Sequence, residues 1–297
     1  MNKNKRPLLL LLVCLVLIIV GAAIFILVSP DDLPKGKADN TSANMTAGGD
    51  FVQGDNIAFY LRDGDVYSLF EEKSTKIVEG AQGPLFFTDG GVAYLKNGAL
   101  YLSQADGSLE TLIVSNIKNP VVIGSWVYYI RSGEIVKMRM SDKKTVNLGL
   151  MCRGRFYVNA RQILYLADDG FLYTAKTDGT NNALAASYSM ADFALCGNHI
   201  IYIGTGKMLS CFPITEPSVK IDISKADAFN YIDSKIVYYS AGEINTYPLD
   251  KAEKTKIAEN VAIIGGLYAG ENEIYYFNDT GNLAKMSVDG TGKKVFE

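Results

Sequence analysis

Apolar residues follow two patterns along this chain. From Leu8 to Val28 they run unbroken for 21 positions without a charge. After residue 50 they come in short bursts, cut at regular intervals by glycine and by polar clusters. The first pattern predicts a helix about 31 Å long at about 1.5 Å per residue, enough for a bilayer core of about 30 Å. The second predicts strands and tight turns. Between them, residues 29–50 (SPDDLPKGKADNTSANMTAGGD) hold no aromatic residue and few large aliphatics. Such a stretch buries too little surface to offset its ordering entropy, and it is expected to be a flexible tether.

The bursts repeat. A short apolar segment ending in tyrosine occurs at Tyr60, Tyr94, Tyr129, Tyr165, Tyr202, Tyr239 and Tyr276, in steps of 34, 35, 36, 37, 37 and 37 residues. Each is followed within a few positions by a glycine: Gly64, Gly98, Gly133, Gly170, Gly206, Gly242 and Gly281. Glycine supplies the positive φ of a hairpin turn. A further strand, a polar turn (Asp106-Gly107, Asp178-Gly179 and Asp289-Gly290 are the clearest) and another strand complete the unit. One more short segment precedes each tyrosine strand. Four strands per repeat, with no sustained 3.6-residue periodicity, predict an all-β chain: a β-propeller of about seven four-stranded blades over residues 51–297. The tyrosine strands are apolar at consecutive positions, as expected of strands covered on both faces by neighbouring blades.

The stretch EIYYFNDTGNLAKMSVDGTGKKVF is similar to the YWTD repeats of low-density-lipoprotein-receptor propellers. It more closely resembles a related bacterial family of membrane-anchored propellers of unknown function. The resemblance rests on the tyrosine-strand, Gly-turn and Asp-Gly spacing and covers roughly residues 51–297. The chain departs from the receptor pattern: it lacks Tyr-Trp-Thr-Asp, its only tryptophan is Trp126, and receptor propellers have six blades. The resemblance implies the fold and transfers no functional residue.

Charge sets the orientation of the apolar run. Lys3, Lys5 and Arg6 precede it, and Asp31 and Asp32 follow it. By the positive-inside rule residues 1–7 are a cytoplasmic tail, residues 8–28 an uncleaved signal-anchor, and the remainder extracytoplasmic. A cleaved signal peptide usually has an apolar region of about 7–15 residues and a small-x-small exit, unlike Ile24–Val28. Without the three basic residues of the tail, 26 basic residues face 32 acidic ones. That balance disfavours nucleic acid as a partner.

Candidate chemistry is sparse. Cys152, Cys196 and Cys211, an odd number without CxxC spacing, read as buried structural thiols rather than as disulfides or a zinc site. One histidine, His199, gives a triad or a His-based metal site little to build on. No GxSxG, P-loop or HExxH motif occurs, and no cofactor is expected. Asp63/Asp65 and Asp168/Asp169 lack the spacing of a calcium loop and read as solvated turn acids. Arg153, Arg155 and Arg161 form the one basic cluster.

The turns between second and third strands and the blade-to-blade crossings share one face and vary in sequence. The Asp-Gly turns on the other face are more uniform. Binding is therefore expected on the variable face, with Arg62, Arg131, Arg153 and Arg155 as polar contacts to an extracytoplasmic protein or envelope polymer. The alternative function is a hydrolase or lyase using paired carboxylates at the channel mouth.

Overall fold

In the seven-bladed ring each blade is one continuous stretch of chain. The computed structural model describes residues 40–296 apart from 55, 89, 90 and 252. Seven four-stranded antiparallel sheets occupy residues 51–78, 82–115, 118–151, 156–186, 194–225, 228–258 and 264–296. Within every blade the strand order is the chain order, so none borrows a strand from the other end of the chain. The expected propeller is thus present, with seven blades. Among the described residues no helix is long and apolar enough to cross a membrane. The Leu8–Val28 run lies outside them.

The tyrosine of each repeat sits on the second strand and packs between blades. Tyr60, Tyr94 and Tyr129 are completely buried, and Tyr165, Tyr202 and Tyr276 nearly so. Some of their hydroxyls reach outward along the blade: Tyr94 donates to Glu110 and Tyr165 to Asn182 at 2.8 Å, beside the fourth strands. A buried phenol is favourable on these terms, because its ring fills the gap between sheets while its hydroxyl keeps a partner; the Tyr129 hydroxyl is buried with no hydrogen-bond partner among the described residues.

The Asp-Gly turns have two tasks. Asp106, Asp178 and Asp289 each accept the backbone N–H two residues on at 2.9 Å, closing the hairpin between third and fourth strands. The glycine that follows also lies against the preceding blade. A Cβ on Gly107, whose φ is +83°, would meet the Ile77 carbonyl oxygen at 2.1 Å. Gly98, in the other turn of the same blade, has φ +71° but nothing within 4 Å of a Cβ. Gly98→Ala is expected to cost about 1–2 kcal/mol from backbone strain alone. Gly107→Ala, which must also push neighbouring blades apart, should cost about 2 kcal/mol more. Urea midpoints of the two variants measure the difference; equal midpoints would remove the inter-blade role.

With no interleaved strand, the ring closes through side chains. Phe51 of blade one stacks on Tyr275 of blade seven at 4.3 Å, and Tyr60 lies 6.1 Å from Phe277. Leu283 and Phe296 complete this cluster. Glu72 of blade one takes Lys294 of blade seven, and the Arg62 guanidinium donates to Asn282 at 3.3 Å.

A second closure was not anticipated. Residues 40–50, expected to belong to the tether, are folded inside the channel. Ser42–Thr46 form a single helical turn, capped by the Thr41 hydroxyl accepting from Asn44 N at 3.0 Å. The strap buries Ala43 and Met45 against the blades and is held as well by hydrogen bonds to the innermost strands. Asn40 donates to the carbonyls of Phe51 (3.0 Å) and Leu85 (2.8 Å) in blades one and two. Ser42 accepts from Leu195 N of blade five at 2.9 Å. Asn44 accepts from Ala269 N of blade seven at 2.7 Å and from the Asn230 amide of blade six at 2.9 Å. The physical reason is that the first strand of each blade turns one unpaired edge toward the channel, and those amides need partners. Polar composition, read as disorder, serves here to satisfy sheet edges. Of the expected tether only residues 40–50 are described; 29–39 lie outside.

Candidate functional site

The strap runs the length of the channel. Asn40 and Thr41 lie beside Gln53, Gly54 and Gly270, where the first strands end on the Asp-Gly face. Met45 and Gly48 lie beside Gly83, Asn119 and Gly154, where the first strands begin on the variable face. At this second mouth the strap forms a floor. A hollow of about 630 Å³ opens there between blades three, four and five, lined among others by Asn119, Arg153, Arg155, Asp192 and Thr205. A hollow of about 250 Å³ continues it past Asp192 and Ile203 toward Phe229 and Gly266. Another of about 170 Å³ shares Asn119, Gly154 and Arg155. Shared residues make the three one basin, and a further hollow of about 410 Å³, with Tyr188 and Tyr202 in its lining, adjoins the largest through Ser189, Gly204 and Thr205.

The base of the basin is rigid because the crossing into blade four is bonded like a strand. Arg153 N donates to Leu166 O at 2.9 Å, and Leu166 N donates to Arg155 O at 3.0 Å. The Asn119 side-chain amide donates to Gly154 O from blade three. Arg155 is committed twice: one guanidinium nitrogen lies 2.6 Å from the Asp192 carboxylate, and another donates to Met45 O of the strap at 3.2 Å. Arg155 therefore ties strap, blade four and the crossing into blade five together. The guanidinium of Arg153 is exposed and has no hydrogen-bond or ion-pair partner among the described residues.

Of the arginines expected on this face, the basin brings together Arg153 and Arg155. Arg62 and Arg131 belong to other turns. Arg62 lies over the Tyr67 ring at 4.5 Å while bonding Asn282. Arg131 lies over the Tyr129 ring at 5.0 Å and donates to Ser115 O of blade two at 3.5 Å. Arg161, adjacent in sequence, falls in the turn between the first and second strands of blade four and so on the opposite face. Asp192 and the strap carbonyl were not foreseen; nothing in the local sequence around Asp192 marks it as the partner of Arg155.

Two of the four turn acids brace their turns. Asp65 accepts from Gly80 N at 3.2 Å, and Asp169 accepts from Phe171 N and from the Tyr173 hydroxyl, each at 2.9 Å. Cys152, Cys196 and Cys211 are free and buried. Burial pushes the thiols of Cys152 and Cys211 up to about 11, and that of Cys196 up as well. Thiolates, the reactive form, are suppressed at neutral pH. Among the described residues no three His, Cys, Asp or Glu side chains come together as a metal site.

Two acids around the strap titrate unusually. Burial raises Asp192 against the pull of Arg155, and burial raises Asp50 against its hydrogen bond from Tyr268. A carboxyl whose pKa is higher folded than unfolded binds its proton first in the native state, so its effect on stability improves as pH falls toward that raised value. The double variant Asp50→Asn, Asp192→Asn should therefore lose the stability gain that the parent shows between pH 7 and mildly acidic pH. Melting temperatures of both proteins across that window test this; a parent curve that falls steadily on acidification would contradict it.

No family model matches the chain, and no curated protein matches it. Solved structures do. The WD40 domain of Neurospora crassa Pan2 aligns with a TM-score of 0.61 at 11% identity, over 91% of this chain and 94% of that one. PorZ, described as an essential bacterial surface component of the type-IX secretion system of Porphyromonas gingivalis, aligns at 0.60 and 10% identity. The match covers 88% of this chain but only 38% of PorZ. BamB from Moraxella catarrhalis aligns at 0.51 and 11%, over 83% and 86% of the two chains. At these identities the likenesses show the fold alone: together with the seven four-stranded sheets, they establish the chain as a β-propeller.

Proposed function

We propose that this chain is a membrane-tethered binding or scaffolding module, held by Leu8–Val28 outside the cytoplasm, and that it takes its partner at the variable-face mouth. The observation that carries this reading is the basin itself. Three hollows meet over a strap floor on a hydrogen-bonded base, where loops on a rigid scaffold present polar groups. PorZ, whose description names a bacterial surface component, supports the setting by analogy of fold. So does the resemblance to bacterial membrane-anchored propellers.

Thr205 is exposed at the rim of the largest hollow, and Glu253 is exposed in a turn of the opposite face. The full chain, immobilised, is expected to retain a partner from an envelope extract. Thr205→Trp should reduce that retention at least tenfold and Glu253→Trp should not. Retention sensitive only to Glu253→Trp would place the partner on the other face. Tethering has its own check: the chain should stay with membranes through alkaline extraction and begin at its own N-terminus. A mature chain starting near residue 30 would end that element of the proposal.

A further inference from the structure

The two arginines of the basin differ in what they are free to do. Arg155 already has an anion, Asp192, and a strap carbonyl. Removing it would leave a half-buried carboxylate and a carbonyl short of a partner, so its role is to hold the mouth together. Arg153 projects from the same bonded crossing with its guanidinium donors unclaimed. The turn of blade four leaves room for it: a Cβ on Gly170 would come within 3.4 Å of its guanidinium. Neither neighbouring turn acid makes an ion pair with it; Asp169 accepts from Phe171 N and the Tyr173 hydroxyl instead. A planar fork of free donors at the rim of a concave surface suits a carboxylate, which takes two parallel N–H bonds.

The surroundings bear on which kind of carboxylate. No aromatic ring lines the largest hollow itself, although Tyr188 and Tyr202 line the hollow that adjoins it through Ser189, Gly204 and Thr205. The lining joins apolar Leu166, Met190 and Ile203 to the hydroxyls of Ser189 and Thr205. A short peptide, with alternating apolar side chains and amides, matches that mixture.

Resting on the reading of the mouth as a binding site, we propose that Arg153 receives the side-chain carboxylate of an acidic residue in a protein partner's peptide segment. Arg155 is the positioning residue that fixes Arg153's crossing to the strap.

The test uses the immobilised full chain and two degenerate heptapeptide pools, one with glutamate fixed at its centre and one with glutamine. The glutamate pool should be retained at least tenfold better, and Arg153→Ala should abolish that ratio while leaving the melting temperature unchanged. Arg153→Lys should recover some of the ratio but not all, since a point charge lacks the fork. Arg62→Ala should leave the ratio as it is. A ratio near one on the parent chain, or one that survives Arg153→Ala, overturns the proposal. If both pools are retained equally and Thr205→Trp releases both, the carboxylate inference falls and the mouth reading stands. If Thr205→Trp releases neither, both fall.

Discussion

Replacing Asn44 by alanine is expected to destabilise the whole ring by about 3 kcal/mol or more. The side chain is buried and bonds Ala269 N at 2.7 Å, Ala269 O at 3.1 Å and the Asn230 amide at 2.9 Å. The small residue left behind strands three buried polar groups, each worth roughly 1–3 kcal/mol when unpaired. For a domain of this size each kcal/mol is worth about 2–4 °C, so the melting temperature should fall by roughly 10 °C. An exposed tether residue would give a change near zero. Thermal unfolding of the variant decides between these, and a melt within a degree or two of the parent would mean that the strap adds nothing.

A larger effect is expected from removing residues 272–297. The deletion takes Tyr275, Phe277, Leu283 and Phe296 from the cluster that joins blade seven to blade one, and with them the partners of Phe51 and Tyr60. Burying an aromatic side chain is worth about 1.5–3 kcal/mol. Losing several removes a large share of the roughly 5–15 kcal/mol that typically separates folded from unfolded chains. Cooperative unfolding should disappear and the product should aggregate, with exposed rings on both sides of the gap. In an open array each repeat leans only on its neighbours, and trimming one end is tolerated. A truncated chain with a sharp melt close to the parent would contradict closure through this seam.

The ring was legible because its signal repeats. The tyrosine returns every 34 to 37 residues with a turn glycine a few positions behind it, and the packing that demands them is the same in each blade. The channel strap was not legible, because its stability comes from another source. Asn40, Ser42, Asn44 and Thr46 alternate along a segment poor in apolar residues, and low apolar content is the mark of disorder when burial is the only gain considered. The missing consideration was the set of unpaired edges that the first strands of the blades leave around an axis. Small amide and hydroxyl side chains are suited to pairing with them. The arginine cluster was half legible for a similar reason. Arg153 and Arg155 fall on one side of a short first strand and Arg161 on the other, so nearness in sequence becomes separation across the ring.

The chain's own strap fills the channel, leaving a hollow of about 630 Å³ at the variable-face mouth and a smaller one of about 380 Å³ at the other. Hydrogen exchange at two amides tests it most directly. Ala269 N and Leu195 N sit on innermost strands and donate to strap side chains, Asn44 and Ser42. Both should exchange only with global unfolding, as slowly as amides in the middle of the second strands. In the Asn44→Ala variant Ala269 N should exchange faster by more than the global loss of stability explains. If Ala269 N and Leu195 N in the parent chain exchange as fast as exposed turn amides, the channel is not filled by residues 40–50.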